Sequence, residues 1–187
     1  MNITSWILIV ILLILAVGGC SSSKDTKNAL DVDPDMVIRI VNNGPQALGF
    51  ELTIYGGGKV EYEGYPHDYP EHIYVQGARN AEISHMQLEQ LVMAINESSF
   101  FSFEDFYTKG ERDGVTTDIM VNMNGQSKHV GWDGFSCGKY YDEDNVEIIM
   151  PEFIDDIDPW EKAEISLCYL QSAIEKVAYV KQWVESP

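Results

Sequence analysis

Cys20 and the residues before it form a short motif whose chemistry can be named from residue types alone. An unbroken apolar run, Ile7 to Val17, is followed by Gly18, Gly19 and Cys20. A short apolar segment closed by small residues is typical of a secretory signal, and a cysteine directly after the small pair predicts attachment of diacylglycerol to its thiol. We therefore expect cleavage before Cys20 and lipidation of its sulfur.

An uncleaved transmembrane helix is the alternative interpretation of this segment. Such a helix needs about 20 apolar residues, whereas here the apolar part ends at Val17 and polar residues 21–24 follow directly after Cys20. Residues 1–5 contain no Lys or Arg, which departs from a typical signal. Because two or three acyl chains hold a protein firmly in a bilayer, we expect membrane attachment through Cys20. Ser21, where an Asp would favour inner-membrane retention, favours the outer membrane facing the periplasm if the source is Gram-negative.

The other two cysteines, Cys137 and Cys168, form an even pair in a compartment where disulfides persist. A bridge between them would close a loop of about 30 residues and stabilise the fold by about 3 to 4 kcal/mol. Alternatively, Cys168 is a small core residue of a helix. Neither cysteine has the CxxC or paired-histidine spacing of a metal site, so we predict no metal there.

No catalytic signature accompanies these cysteines. The four histidines (67, 72, 85 and 129) are scattered, without HxxxH or HExxH spacing, and neither GxSxG nor SxxK occurs. Gly56, Gly57 and Gly58 precede a strand pattern, whereas a phosphate-binding loop precedes a helix. The sequence therefore predicts no catalytic residue and no cofactor.

The charge balance limits the classes of partner. Acidic residues outnumber basic ones 30 to 12, and the net charge is −18. Such a chain repels nucleic-acid phosphate and anionic headgroups, so we expect no nucleic-acid binding and no attachment to the membrane by charge. Residues 31–35 and 142–147 could offer oxygens to Ca²⁺, but both lack the Gly and the terminal bidentate Glu of an EF-hand, which favours solvated acidic loops.

The chain divides into a signal peptide (1–19), a flexible tether (20–35) and a single domain (36–187) with an acidic loop at about 133–158. Strand patterns cover 36–41, 50–55 and 59–63, a further stretch runs around His72 to Ala78, and 116–123 and 126–132 flank the hairpin signal Asn124-Gly125.

Two helices complete the predicted fold. A capping box, Ser84 to Gln87, precedes one helix, and Asp158-Pro159 begins the other. Their apolar stripes are Leu88, Leu91, Val92 and Ile95 in the first, and Leu167, Leu170, Ile174, Val177 and Val184 in the second. The aromatic cluster at 100–107 is interpreted as a corner of the core, with an exposed platform as the alternative. We expect an α+β fold: an antiparallel meander sheet of about five or six strands with two helices packed on one face.

The stretch from Phe50 to Gly64 resembles the first hairpin of bacterial domains catalogued as domain of unknown function 6438. The serial order is also similar: Ile83-Ser84 before a helix, Phe100 to Phe103, Thr116-Thr117 before an Asn-Gly hairpin, and a last helix ending near Val184. Many relatives carry a C-x-G-x-C-P element before the first hairpin, and residues 43–49 here contain no cysteine. The resemblance implies a fold and an envelope location, but no activity.

Two classes of function follow. One is a non-catalytic envelope module, binding or structural, that contacts a protein or small molecule the sequence does not identify. The other is a small periplasmic hydrolase with a carboxylate or histidine site. Converging carboxylates or a His–carboxylate pair in a pocket would favour the hydrolase, and a sheet with two helices on one face and no pocket would favour the module.

Overall fold

A computed structural model describes residues 31–43, 49–65, 76–110, 115–134, 137 and 158–178. These residues form one sheet and two long helices. A short 3-10 turn at Phe100–Ser102 lies between the first helix and the strand that follows it. The elements in chain order are β1 (Val37–Asn43), β2 (Gly49–Tyr55), β3 (Lys59–Gly64), β4 (Gly77–Glu82), α1 (His85–Glu97), β5 (Phe106–Tyr107), β6 (Thr116–Met123), β7 (Gln126–Asp133) and α2 (Pro159–Val177).

The sheet has seven strands in the order β4-β3-β2-β1-β6-β7-β5. The predicted α+β fold, with two helices and a mostly antiparallel sheet, is confirmed, but the sheet has seven strands instead of five or six and is mixed, because β5 is an additional strand and runs parallel to β7. Phe106 pairs with Gly131 and Tyr107 with Trp132. A strand of two residues is too short to show a period of two in the sequence. The remaining neighbours are antiparallel.

Strand β4 lies later in the chain than the sequence pattern indicated. It begins at Gly77, near the end of the predicted stretch around His72 to Ala78, and continues to Glu82. Residues 72–75 lie outside the described residues. The strand consists mostly of small and polar side chains, and four of its six residues are exposed, so its sequence carries no alternating apolar signal.

Turn residues fix the two described hairpins. Asn124 and Gly125 have φ angles of 53° and 72°, the left-handed pair that a two-residue hairpin turn requires, which confirms the predicted β6–β7 hairpin. At the β2–β3 turn, Gly58 has φ 91°, and a Cβ atom there would lie 2.5 Å from the carbonyl oxygen of Ile83. Only glycine allows this close approach.

One face of the sheet and both helices enclose a single apolar core. The predicted stripes of α1 and α2 are buried, apart from Val184, which lies outside the described residues. They pack with strand residues that are at most 2% exposed: Ile38, Ile40, Leu52, Ile54, Val60, Tyr62, Ile119, Val121, Val130 and Trp132. Burial of each such side chain contributes about 1.5 to 3 kcal/mol.

The predicted helix starts are confirmed. Ser84 Oγ accepts a hydrogen bond from the Gln87 backbone N–H, and Gln87 Oε1 accepts one from the Ser84 N–H. Asp158 Oδ1 accepts from the Trp160 N–H, with Pro159 at the first helical position. These bonds satisfy backbone donors that a helix start leaves without partners.

Helix α2 is also tied to the segment after β5 by a charged pair. Lys109 Nζ lies 2.9 Å from Glu164 Oε1, whose side chain is only 3% exposed. The same ammonium lies 4.8 Å from the centre of the Trp160 ring. The ammonium compensates the charge of the buried carboxylate, and the face of the Trp160 ring stabilises the ammonium.

Two short segments differ from their sequence assignments. In residues 31–35, assigned to the tether, Val32 is 8% exposed and belongs to the core, and Asp33 accepts hydrogen bonds from the backbone N–H groups of Asp35 and Asn124. In the aromatic cluster, Phe100 is fully buried, as predicted for a corner of the core, whereas Phe106 is 52% exposed. The parallel pairing of β5 with β7 places Phe106 at the edge of the sheet.

Candidate functional site

The second face of the sheet, here called the open face, carries polar and charged side chains instead of the core. Because successive side chains of a strand alternate between faces, the cross-strand register places one residue from each of six strands in a single row. The row is Asn80, Glu61, Thr53, Arg39, Met120 and His129. The open face therefore presents a largely polar row across the sheet, interrupted by Met120.

A bidentate ion pair occupies the centre of the open face. Arg39 Nε and one terminal nitrogen each lie 2.6 Å from an oxygen of Glu51. The hydrogen bonds to Glu51 raise the pKa of Arg39 above its ordinary value. Sequence reasoning missed the pair, because the two residues become neighbours only through the β1–β2 register, in which Val41 lies opposite Glu51 and Arg39 lies one diagonal away.

A second charged group lies one strand further out. Tyr55 Oη donates a hydrogen bond of 2.6 Å to Glu61, whose other oxygen accepts from Lys59 Nζ. These bonds, the one from Lys59 foremost, lower the pKa of Glu61, and the bond to Glu61 raises the pKa of Tyr55. Glu61 is therefore an anion over the ordinary pH range.

An acidic hollow lies between these groups and β4. Its volume is about 320 Å³, and three carboxylates and one guanidinium are among its lining residues, which are Glu51, Thr53, Glu61, Tyr62, Glu63, Ala78, Arg79 and Asn80. Tyr65 follows β3 and donates its backbone N–H to the Gly49 carbonyl, and burial and then the nearby charge of Glu51 raise the pKa of its phenol. We call this region the β3–β4 hollow. Three carboxylates of the open face line it on one side, and residues of β4, a terminal strand of the sheet, line it on the other.

A His–carboxylate pair lies toward the opposite edge. His129 Nε2 lies 2.8 Å from Asp118 Oδ1, and the His129 side chain is 56% exposed. The neighbouring Gly131 has no side chain, and a Cβ atom there would lie 2.7 Å from Asp118 Oδ1 and 2.9 Å from the Phe106 ring. The glycine thus leaves room for an exposed aromatic ring beside the pair. In the sequence His129 is one of four scattered histidines, since only the β6–β7 register brings Asp118 near it.

A larger groove, of about 490 Å³, separates the outer sides of α1 and α2. Polar groups already bridge it: Tyr169 Oη donates to Glu97 Oε2 at 2.7 Å, and Gln87 Nε2 donates to the carbonyl of Val177 at 3.3 Å. These bonds hold the helices together, so we assign the groove a structural role despite its size. Among the described residues, we therefore place the candidate site on the open face.

The structure describes two of the three cysteines for which a modification was predicted. Cys20 lies outside the described residues. Cys137 and Cys168 are joined: their sulfur atoms are 1.98 Å apart and their Cα atoms 5.2 Å apart. Cys168 is fully buried within α2, so the bond connects the segment after β7 to this helix.

No group of three or more metal-ligating side chains occurs within the described ranges. In the acidic stretch at 31–35, both carboxylate oxygens of Asp33 accept backbone hydrogen bonds, which gives this residue a structural role. The other acidic stretch, 142–147, lies outside the described residues. Among the helices that the structure describes, none is both long enough and apolar enough to span a bilayer.

Comparison with known proteins agrees with the resemblance in the sequence. No curated protein matches the chain. The family model described as domain of unknown function (DUF6438) matches residues 49–147, from the start of β2 through β7 and into the acidic segment. The match therefore includes most of the open face and both described hairpins. It covers more than half of the chain, which belongs to the family of domain of unknown function 6438.

Proposed function

We propose that this chain is a lipid-anchored protein of the bacterial envelope, and that its domain is a non-catalytic binding or structural module. In this proposal Cys20 carries the lipid, residues after it act as a tether, and the domain meets its partner through the open face of the sheet. The observation that carries the proposal is the division of the sheet into a buried apolar face and an exposed charged face.

The charged groups of the open face support a contact surface. Arg39 and Glu51 hold each other in a fixed geometry, as do Lys59, Tyr55 and Glu61. Side chains ordered in advance lose less conformational entropy when a partner binds. The contact between Cys137 and Cys168 supports an extracytoplasmic location, where disulfides persist.

The anchor is tested by expressing the full chain and a Cys20→Ser variant in a bacterium with a lipoprotein pathway. We expect the N-terminal peptide of the full chain to begin at Cys20 with the mass of a diacylglycerol and to sediment with membranes. The Cys20→Ser variant should keep its signal uncleaved and lack the lipid. An unmodified Cys20 in a membrane-bound chain would contradict the proposal.

The bond between Cys137 and Cys168 is tested on the same samples. Alkylation of the unfolded chain before and after reduction should label two further cysteines only after reduction. Labelling of both cysteines without reduction would remove this support for the envelope location.

A small periplasmic hydrolase is the second candidate, favoured by the contact of 2.8 Å between His129 and Asp118 and by the three carboxylates that line the β3–β4 hollow. Two of these carboxylates, Glu51 and Glu61, already bind Arg39 and Lys59, which favours the module. A carboxylate that orients a histidine is part of many hydrolytic sites. The test is hydrolysis of p-nitrophenyl acetate by the full chain and by His129→Asn. The module proposal predicts equal rates for the two proteins, whereas a rate that His129→Asn abolishes would favour the hydrolase.

A further inference from the structure

We propose that the outer edge of β4 binds an extended, basic segment of a partner protein, which adds an antiparallel strand to the sheet. The proposal deepens the proposed function, on which it rests for the assumption that the domain is a binding module. Strand β4 is the terminal strand at this end of the sheet, and no described strand pairs with its outer edge. Unpaired backbone groups on such an edge are a template for strand addition.

The register identifies which backbone groups point outward. The Ile83 N–H donates to the Gly58 carbonyl, so Ile83 faces β3, and alternation along an antiparallel pair gives Gly77, Arg79 and Ala81 the same direction. The N–H and C=O groups of the three residues between them therefore point away from the sheet. These residues are Ala78, Asn80 and Glu82, and all three are exposed.

A side-chain contact is consistent with this assignment. The Arg79 guanidinium donates a hydrogen bond of 2.7 Å to the carbonyl oxygen of Ala78. An exposed arginine thus meets one of the outward groups, and a partner strand would displace it at that single position. The outward groups of Asn80 and Glu82 then provide the central part of the pairing.

The open face beside β4 favours basic side chains in the partner. Across the β3–β4 register, Glu63 lies opposite Ala78 and Glu61 opposite Asn80. An added strand opposite Ala78 would lie about 10 Å from β3, two strand spacings. A Lys or Arg side chain can cross the small Ala78 toward Glu63 and enter the β3–β4 hollow.

The core-facing side of β4 favours apolar side chains at the alternate positions. Ala81 packs against the core next to its partner Val60, and a residue opposite Ala81 would extend this apolar contact. The structure therefore favours a partner strand in which basic and apolar residues alternate. A second copy of the chain fits less well, because each copy carries a net charge of −18.

The experiment uses the full chain in detergent and an acetylated, amidated peptide of alternating Lys and Val as the probe. We expect saturable binding by fluorescence anisotropy, and slower amide hydrogen exchange at Ala78, Asn80 and Glu82 in the complex. A Glu–Val peptide should not bind. Methylation of the Lys amide nitrogens, which would face β4, should abolish binding, whereas methylation of the Val nitrogens should not.

Two protein variants with matched controls test the edge itself. Asn80→Pro removes an outward N–H at an edge position where proline is tolerated, and should weaken binding at least about tenfold, while Asn80→Ser should bind like the unaltered chain. Glu63→Gln should weaken binding about threefold, and Glu104→Gln, the same change at an exposed residue near β5, should not.

Three outcomes would overturn the proposal. The first is no binding of the Lys–Val peptide, and the second is unchanged binding to Asn80→Pro, which would indicate charge attraction alone. The third is a dimer of the unaltered chain that Asn80→Pro dissociates, which would show that a second copy occupies the edge. Each is independent of the lipid mass on Cys20, so failure here is distinguishable from failure of the anchor.

Discussion

The same strands form both faces of the sheet, but one face is buried in the core and the other is exposed and charged. In β2, Leu52 is fully buried in the core, and its neighbour Glu51 pairs with Arg39 on the open face. The core face obtains its stability from apolar area removed from water, whereas exposed ion pairs contribute about 0 to 1 kcal/mol each. The difference indicates that substitutions on the open face can alter contacts with partners while leaving the fold intact.

The largest expected effect comes from the core face. Leu52→Ala should lower the free energy of unfolding by about 3 to 4 kcal/mol, because it removes a buried side chain and leaves a cavity. Urea unfolding followed by circular dichroism measures the change. Glu51→Gln, one residue away on the open face, is the control and should cost at most about 1 kcal/mol. Similar losses for both variants would contradict the division between the faces.

The next effect tests the charge buried on the helix side. Lys109→Met should cost about 3 kcal/mol, because it leaves the carboxylate of Glu164 buried without its ammonium. Met retains a side chain over the Trp160 ring, so packing changes little. The double variant with Glu164→Gln should recover most of the loss in the same urea experiment. No recovery would show that Lys109 acts by packing alone.

A smaller effect depends on pH. Burial raises the pKa of Glu175 from 4.5 to about 7, although a hydrogen bond from Gln171 acts in the opposite direction. The native state therefore binds this proton more tightly than the unfolded chain does, and the contribution of Glu175 to stability is fully present below pH 4.5 and is lost as the pH rises to about 7.

The variant Glu175→Gln removes this titration. It should stabilise the protein by about 1 to 2 kcal/mol at pH 8, since solvent still reaches the half-buried carboxylate, and should change little at pH 4.5. Thermal unfolding at both pH values provides the measurement, and Glu161→Gln, in the first turn of the same helix, serves as the control. Equal effects of Glu175→Gln at both pH values would refute this account.

The smallest effect is expected for the ion pair between Arg39 and Glu51 on the open face. Arg39→Met should cost at most about 1 kcal/mol at low salt, and the cost should decrease at 1 M NaCl, because the pair with Glu51 is partly exposed and salt screens it. Urea unfolding at the two salt concentrations checks it. A loss near that of Leu52→Ala would mean that the pair is structural.

Local signals predicted most of the core face. Asn124-Gly125 specified a hairpin by backbone geometry, the Ser84–Gln87 box specified the start of α1, and spacings of three and four residues specified both apolar stripes. Strand β5 escaped prediction because its two residues pair with β7, more than 20 positions later. The extended conformation of these two residues depends on pairing with β7, and their own sequence does not indicate it.

The open face was less predictable for a similar reason. Polar positions alternate along each strand, but the pairs Arg39–Glu51 and Asp118–His129 arise from register between strands. A sequence gives the residues of each strand but not the alignment of one strand with the next, except where a turn fixes it. The edge position of β4 likewise follows from the topology, since its small residues carry no periodic signal.

Oxidative footprinting most directly tests the claim that the domain contacts its partner through the open face. The full chain is exposed to hydroxyl radicals in native bacterial envelopes and in vesicles of the same lipids without other proteins. We predict that Tyr55, which donates to Glu61, and Tyr65, which lies near the charge of Glu51, are oxidised less in envelopes. Met86 and Met93, which are 66% and 41% exposed on α1, should react equally in both samples. Protection of the two methionines with no change at the two tyrosines would contradict the account.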